Sequence, residues 1–399
     1  MAVRTVATQP APGRAGLFTY YASRKRVLGL DLLRISAALS ILLYHGYYFG
    51  TLPVLAQNPV TARISTFGYL AVDLFFVLSG WLLAGQALRM HVALRDGSFA
   101  IFWLRRWLRT LPPYYFGLVA ALLVPVVAGS TLTFGDFIKH ALFLQTIQLP
   151  NLYPISWSLV TEEWFYLALP LVAIVGFRLR SWKLVTLLAA CLLAVPTLVR
   201  VNLLAEHQTW LAILMTPQAR FEGLVIGAGL AALAAGQPGR FTVLLRARRP
   251  LFLAGAAGII VLLAVSNQQN WWFETAGLLV FAVLLGCLLP LLATMRWPGW
   301  APLGLVIGVT FLSDLTYPIY LVHTVVPKFA GLNHTSTFLY GGVWVLSVFA
   351  AATALHLSVE RPFLALRARF VAYRRPEAPP RPLPQAPRVR AAAEPVRPA

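Results

Sequence analysis

The sequence predicts an all-α polytopic membrane protein, a bundle of about ten transmembrane helices. Three observations carry that expectation. Hydrophobic residues make up 59% of the 399-residue chain and charged residues 12%, against about 45–50% and about 25% in soluble proteins; mean hydropathy is +0.72. A soluble protein this apolar could not cover its own surface, so the excess faces lipid. The apolar residues also lie in long continuous runs rather than in alternation, as spanning helices of about 20 residues require. Finally, the positive charge is placed asymmetrically between those runs.

The spans, in order, are ten. Leu30–Phe49 follows a polar, basic leader, and Phe67–Leu88 carries the segment VDLFFVLSGW. Leu111–Ala128 opens on the Pro112–Pro113 pair, which suits a helix start. Trp157–Phe177 begins WSLVTEEWFYL, and Leu184–Leu204 is almost uniformly apolar. Trp210–Ala235 contains Gly223 and Gly227, a GxxxG packing seam beside Arg220 and Glu222. Leu251–Val265 is the shortest; Trp271–Leu292, Leu303–Val326 and Phe338–Leu357 complete the set. The stretch Phe134–Leu149 is apolar on one side but carries Asp136, Lys139 and His140, and is expected as a surface or re-entrant helix.

With the N-terminus in the cytoplasm, this count puts 27 of the 33 Lys and Arg residues on the cytoplasmic side, as the positive-inside rule demands. An eleventh span would scramble that asymmetry. The formal charge of +20 is therefore a topology signal rather than a nucleic-acid footprint, since little polar surface remains to display a basic patch. Residues 1–27 form a basic cytoplasmic segment without signal-peptide features, and residues 28–363 the transmembrane domain. Residues 364–399 form a disordered cytoplasmic tail; eight prolines fall in the last 29 residues. Both termini are expected in the cytoplasm, and the protein in the inner (plasma) membrane. Cys191 and Cys287 lie in apolar runs and offer neither a disulfide framework nor a metal site.

Ionisable groups near a helix centre cost about 2.5–3.5 kcal/mol on insertion, so each is a candidate for function. Arg34 and His45 are eleven residues apart, which aligns them to within about 20° on one helical stripe across about 16 Å of rise. Asp31 lies near the same stripe. The alternatives are that Arg34 snorkels to the interface and His45 closes a local hydrogen bond. Asp73 sits at a similar depth to His45 and could orient it; the plainer reading pairs it with a structural arginine. Glu162 and Glu163 point about 100° apart on their helix, so one is expected to face the bundle and the other headgroups or a loop. Ser313, Thr316, Tyr320 and His323 share a face, with Asp314 and Tyr317 at its edge, lining a cavity or a helix seam. Arg105, Arg106 and Arg109 cluster on the cytoplasmic side, as ordinary anchors or as a phosphate clamp. Glu360 is expected to pair with a cytoplasmic arginine. The chain holds no Walker loop, dinucleotide glycine fingerprint, GxSxG elbow or HExxH.

Together these motifs resemble membrane acyltransferase family 3, in its stand-alone form. The matching segments are LDLLRISAALSILLYH (Leu30–His45), VDLFFVLSGWL (Val72–Leu82), RRWLRTLPPYY (Arg105–Tyr115), WSLVTEEWFYLALP (Trp157–Pro170), LTYPIYLVH (Leu315–His323) and VERPF (Val359–Phe363). The resemblance implies transfer of an acyl group, commonly acetyl, from acyl-CoA to a hydroxyl of a sugar or glycan-like acceptor. It also implies importance for Arg34, His45, Asp73, Arg105, Arg106 and Glu162. Val160, Thr161, Trp164 and Pro318 depart from the family pattern and are expected to shape the acceptor pocket. The C-terminal hydrolase-like domain of some relatives is expected to be absent, since 36 residues follow Phe363.

Joined to the residue map, the expectation is specific. Arg34, Arg105, Arg106 and Arg109 hold acyl-CoA, His45 acts as general base, and Asp73 or Glu162 orients it; an acyl-His45 intermediate is a variant. Tyr320 and His323 belong to the acceptor side. No permanently bound cofactor or metal is expected; the partners are acyl-CoA, a carbohydrate acceptor and the lipid bilayer, with no nucleic acid. The alternative is a transporter or flippase of a glycan or lipid precursor, which should show repeated halves with broken helices.

Overall fold

The computed structural model describes residues 26–93, 99–128, 133–145, 153–178, 181–267, 270–329 and 338–370, and every regular element among them is helical. The expected basic segment up to residue 25 and the tail from residue 371 lie outside the described residues. In chain order the helices are α1 (Leu28–Tyr48), α2 (Pro59–Thr66), α3 (Ala71–Ala93), α4 (Phe99–Ala128), α5 (Phe134–Ala141), α6 (Trp157–Arg178), α7 (Trp182–Ala205) and α8 (Trp210–Met215). They continue with α9 (Glu222–Gly236), α10 (Pro238–Arg246), α11 (Arg248–Val265), α12 (Leu278–Leu292), α13 (Leu303–Val322), α14 (Val326–Phe329), α15 (Phe338–Leu355) and α16 (Arg361–Phe370). A π-helical turn, Phe273–Gly277, leads into α12, and another, His356–Glu360, joins α15 to α16.

The protein is an all-α polytopic membrane protein. Among the described residues, seven helices are long and apolar enough to span a bilayer, and α9 is apolar but shorter, at 15 residues. The seven differ in position. The apolar stretch of Pro59–Leu88 is 72% buried and forms the centre of the bundle, whereas those of α7 and α11 are 11% buried and face outward. On α1 the division runs along the helix: Ala37, Ala38, Ile41 and Leu42 are buried, while Leu32, Leu39 and Leu43 are exposed. That is the 3.6-residue periodicity of a helix with one face on protein and one on lipid.

Three expected elements differ in detail. The span expected over Trp210–Ala235 is broken: α8 ends at Met215, a short 3₁₀ turn covers Pro217–Ala219, and α9 starts at Glu222. Pro217 is the reason, because it has no N–H to donate and pushes the residue before it out of the α region; Thr216 is extended at φ −76°, ψ 115°. Conversely, the Pro112–Pro113 pair does not start a helix. The α4 helix begins at Phe99 and runs through both prolines, so the arginine cluster is helical with them. Finally, residues 364–370 continue α16 and are not part of a disordered tail.

The GxxxG seam is a close contact between α3 and α9. A Cβ on Gly227 would lie 2.0 Å from the Val77 carbonyl oxygen, and one on Gly80 2.1 Å from that of Leu224. Only hydrogen fits at either place, which lets the two backbones touch. The Phe134–Leu149 stretch contains the two-turn α5, closed by a capping box in which Thr133 and Asp136 bond each other's backbone. The same Thr133 contacts hold the exposed Asp136 carboxyl below its ordinary pKa. The chain then turns inward: His140 and Phe143 are buried, Phe143 with φ 55°. Phe143 stacks on Tyr114 with ring centroids 4.6 Å apart, and Tyr153 beyond is buried against the Leu321 carbonyl.

Candidate active site

The polar side chains that the membrane disfavours gather in three places. At one end of the bundle, α1 begins with Asp31, which is 1% exposed and collects three donors. Arg26 donates to its Oδ1 at 2.9 Å, Ser313 at 2.7 Å and Arg34 at 3.3 Å. Arg26 also pairs with Asp314. Asp31 thus fixes the Arg34 guanidinium, which lies within Coulombic range of Arg109 on α4. At this same end a cavity of about 300 Å³ is lined by Arg105, Arg106 and Arg109 of α4, Arg367 of α16, and Leu83, Gln86 and Phe102. Arg106 is held in place: it stacks over the Tyr166 ring at 4.1 Å, bonds the Tyr166 hydroxyl and donates to Glu162 at 3.4 Å.

At the opposite end of α1, eleven residues on, stands His45. Its Nδ1 lies 3.1 Å from the Ile41 carbonyl and 3.1 Å from Nε2 of His323. His323 is 0% exposed, and its Nδ1 meets the carbonyls of Tyr320 at 2.8 Å and Ile319 at 3.2 Å. The buried Trp344 indole donates to the His323 carbonyl, and Tyr320 donates to Ile155 and shares a hydrogen bond with Ser158. The stripe Ser313, Thr316, Tyr320 and His323 is buried throughout and is a seam between helices rather than the wall of an open cavity.

The third place lies between α3, α7 and α9. Arg220 donates to Asp73 at 2.6 Å, and Arg200 pairs with Glu222. Arg200 is wholly buried. Its guanidinium reaches the Ala219 carbonyl in the broken segment and bonds the Thr275 carbonyl in the π turn through both Nε and Nη2. One arginine therefore satisfies backbone oxygens at two interruptions, as the interior of a membrane protein requires. The break is sealed by a side chain, unlike the open, cavity-lining break of a transporter.

Several expectations change accordingly. Asp73 does not orient His45, because its carboxylate is taken by Arg220; the group beside His45 is a second histidine. Glu162 does not lie with His45 either. It sits at the arginine cluster, accepting from Ser79 at 2.8 Å and from Arg106 and Tyr166. Glu163 avoids headgroups too: it is buried and accepts from Trp107 and Thr110, each at 3.2 Å. Glu360 pairs with His356 at 2.7 Å inside the π turn rather than with an arginine. His323 is enclosed behind His45, and Tyr320 is occupied by Ser158 and Ile155, so neither offers a free group to an acceptor. Arg367 went unnoticed in the sequence because it follows the last apolar span, where every arginine looks like an anchor. No group of three or more His, Cys, Asp or Glu suited to a metal occurs among the described residues.

Comparison with known proteins agrees with the motifs. O-acetyltransferase OatA of Staphylococcus aureus is 23% identical over 360 residues, covering 83% of this chain and 55% of that protein. The Bacillus subtilis protein named "Putative peptidoglycan O-acetyltransferase YrhL" is 29% identical over 184 residues, 41% of this chain and 27% of its own length. The chain thus spans about a quarter to about half the length of these relatives. No solved structure matches it. The acyltransferase domain model matches residues 27–359, from Val27 before α1 to the π turn before α16. Because that match takes in most of the chain, the chain belongs to this acyltransferase family.

Proposed function

We propose that the protein is a membrane O-acyltransferase that moves an acyl group, acetyl by the names of its relatives, from cytoplasmic acyl-CoA to a hydroxyl of a sugar, polysaccharide or glycosylated lipid. The observation that carries this reading is the run of α1 between two unlike sites. Its Arg34 end lies toward Arg109, one of the four arginines that line the cavity, and its other end presents His45. The separation is eleven residues, about 16 Å along the helix. Guanidinium groups bind phosphate by paired, charge-assisted hydrogen bonds, and a CoA donor carries its phosphates at one end and its thioester at the other. In this reading the cavity faces the cytoplasm, with both termini, in the plasma membrane, and the acceptor meets the thioester at His45.

In the reaction His45 takes the proton of the acceptor hydroxyl as its oxygen bonds the acyl carbon. The C–S bond then breaks, and the imidazolium returns the proton to the CoA thiolate. Ser79, Arg106 and Tyr166 hold Glu162, which in turn fixes Arg106 at the cavity. The test uses purified protein in nanodiscs with radiolabelled acetyl-CoA and a panel of peptidoglycan fragments and oligosaccharides. Label is expected in a glycan, with thiol release that needs both the acceptor and His45. A His45→Ala variant within about threefold of wild type would remove the base role, which is ordinarily worth about 10²–10⁴-fold.

A further inference from the structure

We infer that His323 is a positioning residue for His45, holding it in the tautomer whose Nε2 is bare and able to take the acceptor's proton. This rests on the general-base reading above and adds to it the group that sets the base. The argument is one of hydrogen-bond accounting. Carbonyl oxygens only accept, and Nδ1 of His323 lies against two of them, Tyr320 at 2.8 Å and Ile319 at 3.2 Å. Nδ1 of His323 therefore carries the hydrogen. The ring is 0% exposed, and no carboxylate is among its hydrogen-bond partners. A buried cation without a counter-charge is costly, so the ring is neutral, and a neutral imidazole has one N–H only. Its Nε2 is then a lone-pair acceptor.

That acceptor lies 3.1 Å from Nδ1 of His45, whose other neighbour is again an acceptor, the Ile41 carbonyl at 3.1 Å. Both demand a hydrogen on Nδ1, and in the neutral ring, which has one N–H only, this leaves Nε2 of His45 unprotonated. His45 is only part-buried, whereas His323 behind it is sealed. During transfer the hydroxyl proton goes to Nε2 of His45, and the imidazolium keeps its Nδ1–H on His323 and Ile41. When the C–S bond breaks, the Nε2 proton passes to the departing sulfur, restoring both rings. The carboxylate that usually orients a catalytic histidine is thus replaced by a second imidazole. The second ring is itself anchored through Tyr320 to Ile155 and through its carbonyl to Trp344.

Two measurements on the full chain test this. The first is 15N NMR of histidine-labelled protein in nanodiscs, with His45 assigned by difference from His45→Gln. Wild type is expected to show a pyridine-type Nε2 and a protonated Nδ1 at His45; a protonated Nε2 would overturn the inference. The second compares His323→Leu, which removes the acceptor, with His323→Gln, whose amide oxygen can replace it. Donor is acetyl-CoA, with whichever glycan of the panel is labelled by wild type. His323→Leu is expected to lower kcat by about 10–10²-fold, a part of the about 10²–10⁴ available to a general base, with KM for acetyl-CoA within about twofold. His323→Gln should recover most of it. Equal kcat in His323→Leu and wild type, or a folded His323→Gln as slow as His323→Leu, would overturn the role of His323. If His45→Ala is also active, the base reading fails with it; if His45→Ala is inactive, only the His323 role does.

Discussion

Asp73 and Arg220, 147 residues apart in the chain, bring a carboxylate oxygen and a guanidinium nitrogen to 2.6 Å with side chains 3% and 0% exposed. A pair so enclosed is a folding element first. Taking away one partner strands the other in a low-dielectric interior, which costs about 3–5 kcal/mol. Asp73→Ala should therefore lower the melting temperature in detergent markedly. The double change Asp73→Leu with Arg220→Met should recover most of the loss, because apolar pairs of similar volume commonly replace buried ion pairs. A wild-type melting curve for Asp73→Ala would contradict the structural role.

Arg200 makes a more demanding test of geometry. It reaches Ala219, Thr275 and Glu222 with one planar fork. Lysine keeps the charge but offers a single ammonium in place of three directed nitrogens. Arg200→Lys should thus leave at least one buried carbonyl unbonded, costing about 1–3 kcal/mol in thermal stability. Equal stability of the two proteins would show that charge alone suffices there.

The α3–α9 contact tolerates no added methyl group. Gly227→Ala and Gly80→Ala would each drive a Cβ to about 2 Å from a backbone oxygen of the neighbouring helix. Overpacking of this kind costs about 1–3 kcal/mol and sometimes more. Both variants should give less monodisperse protein on size-exclusion chromatography than Gly229→Ala, where the space is open.

The arginine cavity should respond to charge and to salt. Arg105→Gln, Arg109→Gln and Arg367→Gln should each raise KM for acetyl-CoA by about 10–10²-fold, the equivalent of a charge-assisted hydrogen bond of about 1.5–3 kcal/mol, with little change in kcat. Raising ionic strength should raise wild-type KM in the same direction. Arg63→Gln, outside the cavity and bonded to carbonyls at the end of α11, should leave KM unchanged. Arg106→Gln should differ from the other three by also lowering stability, because Glu162 and Tyr166 depend on it.

The parts legible in the sequence are those fixed by local periodicity and solvation. The apolar runs, the buried Tyr320 stripe, the GxxxG seam and the scarcity of intramembrane charge all follow from which residues a membrane accepts. Asp73 shows where that reasoning stops. Helical depth put it level with His45, but depth does not say which neighbour a carboxylate faces, and Arg220 was free to claim it. Glu162 is a related case. Spacing within its helix does not say that it faces Arg106 on α4 rather than His45 on α1. The His45–His323 contact joins residues 278 apart, and no spacing rule within either helix reveals it.

The shared role of Arg200 also bears on how the chain is made. Ribosomal synthesis delivers α7, with Thr197 as the one partner of Arg200 on the same helix, before its counter-charge, so Arg200 enters the bilayer as an unpaired cation, at a cost of about 2.5–3.5 kcal/mol at a helix centre and less toward its end. Ala219 and Glu222 arrive one span later and Thr275 only after α11. The α7–α9 hairpin is therefore best inserted as a unit, with Glu222 neutralising the charge during biogenesis. The guanidinium fork closes on Thr275 only when the later half of the bundle docks, which makes Arg200 a late latch on assembly.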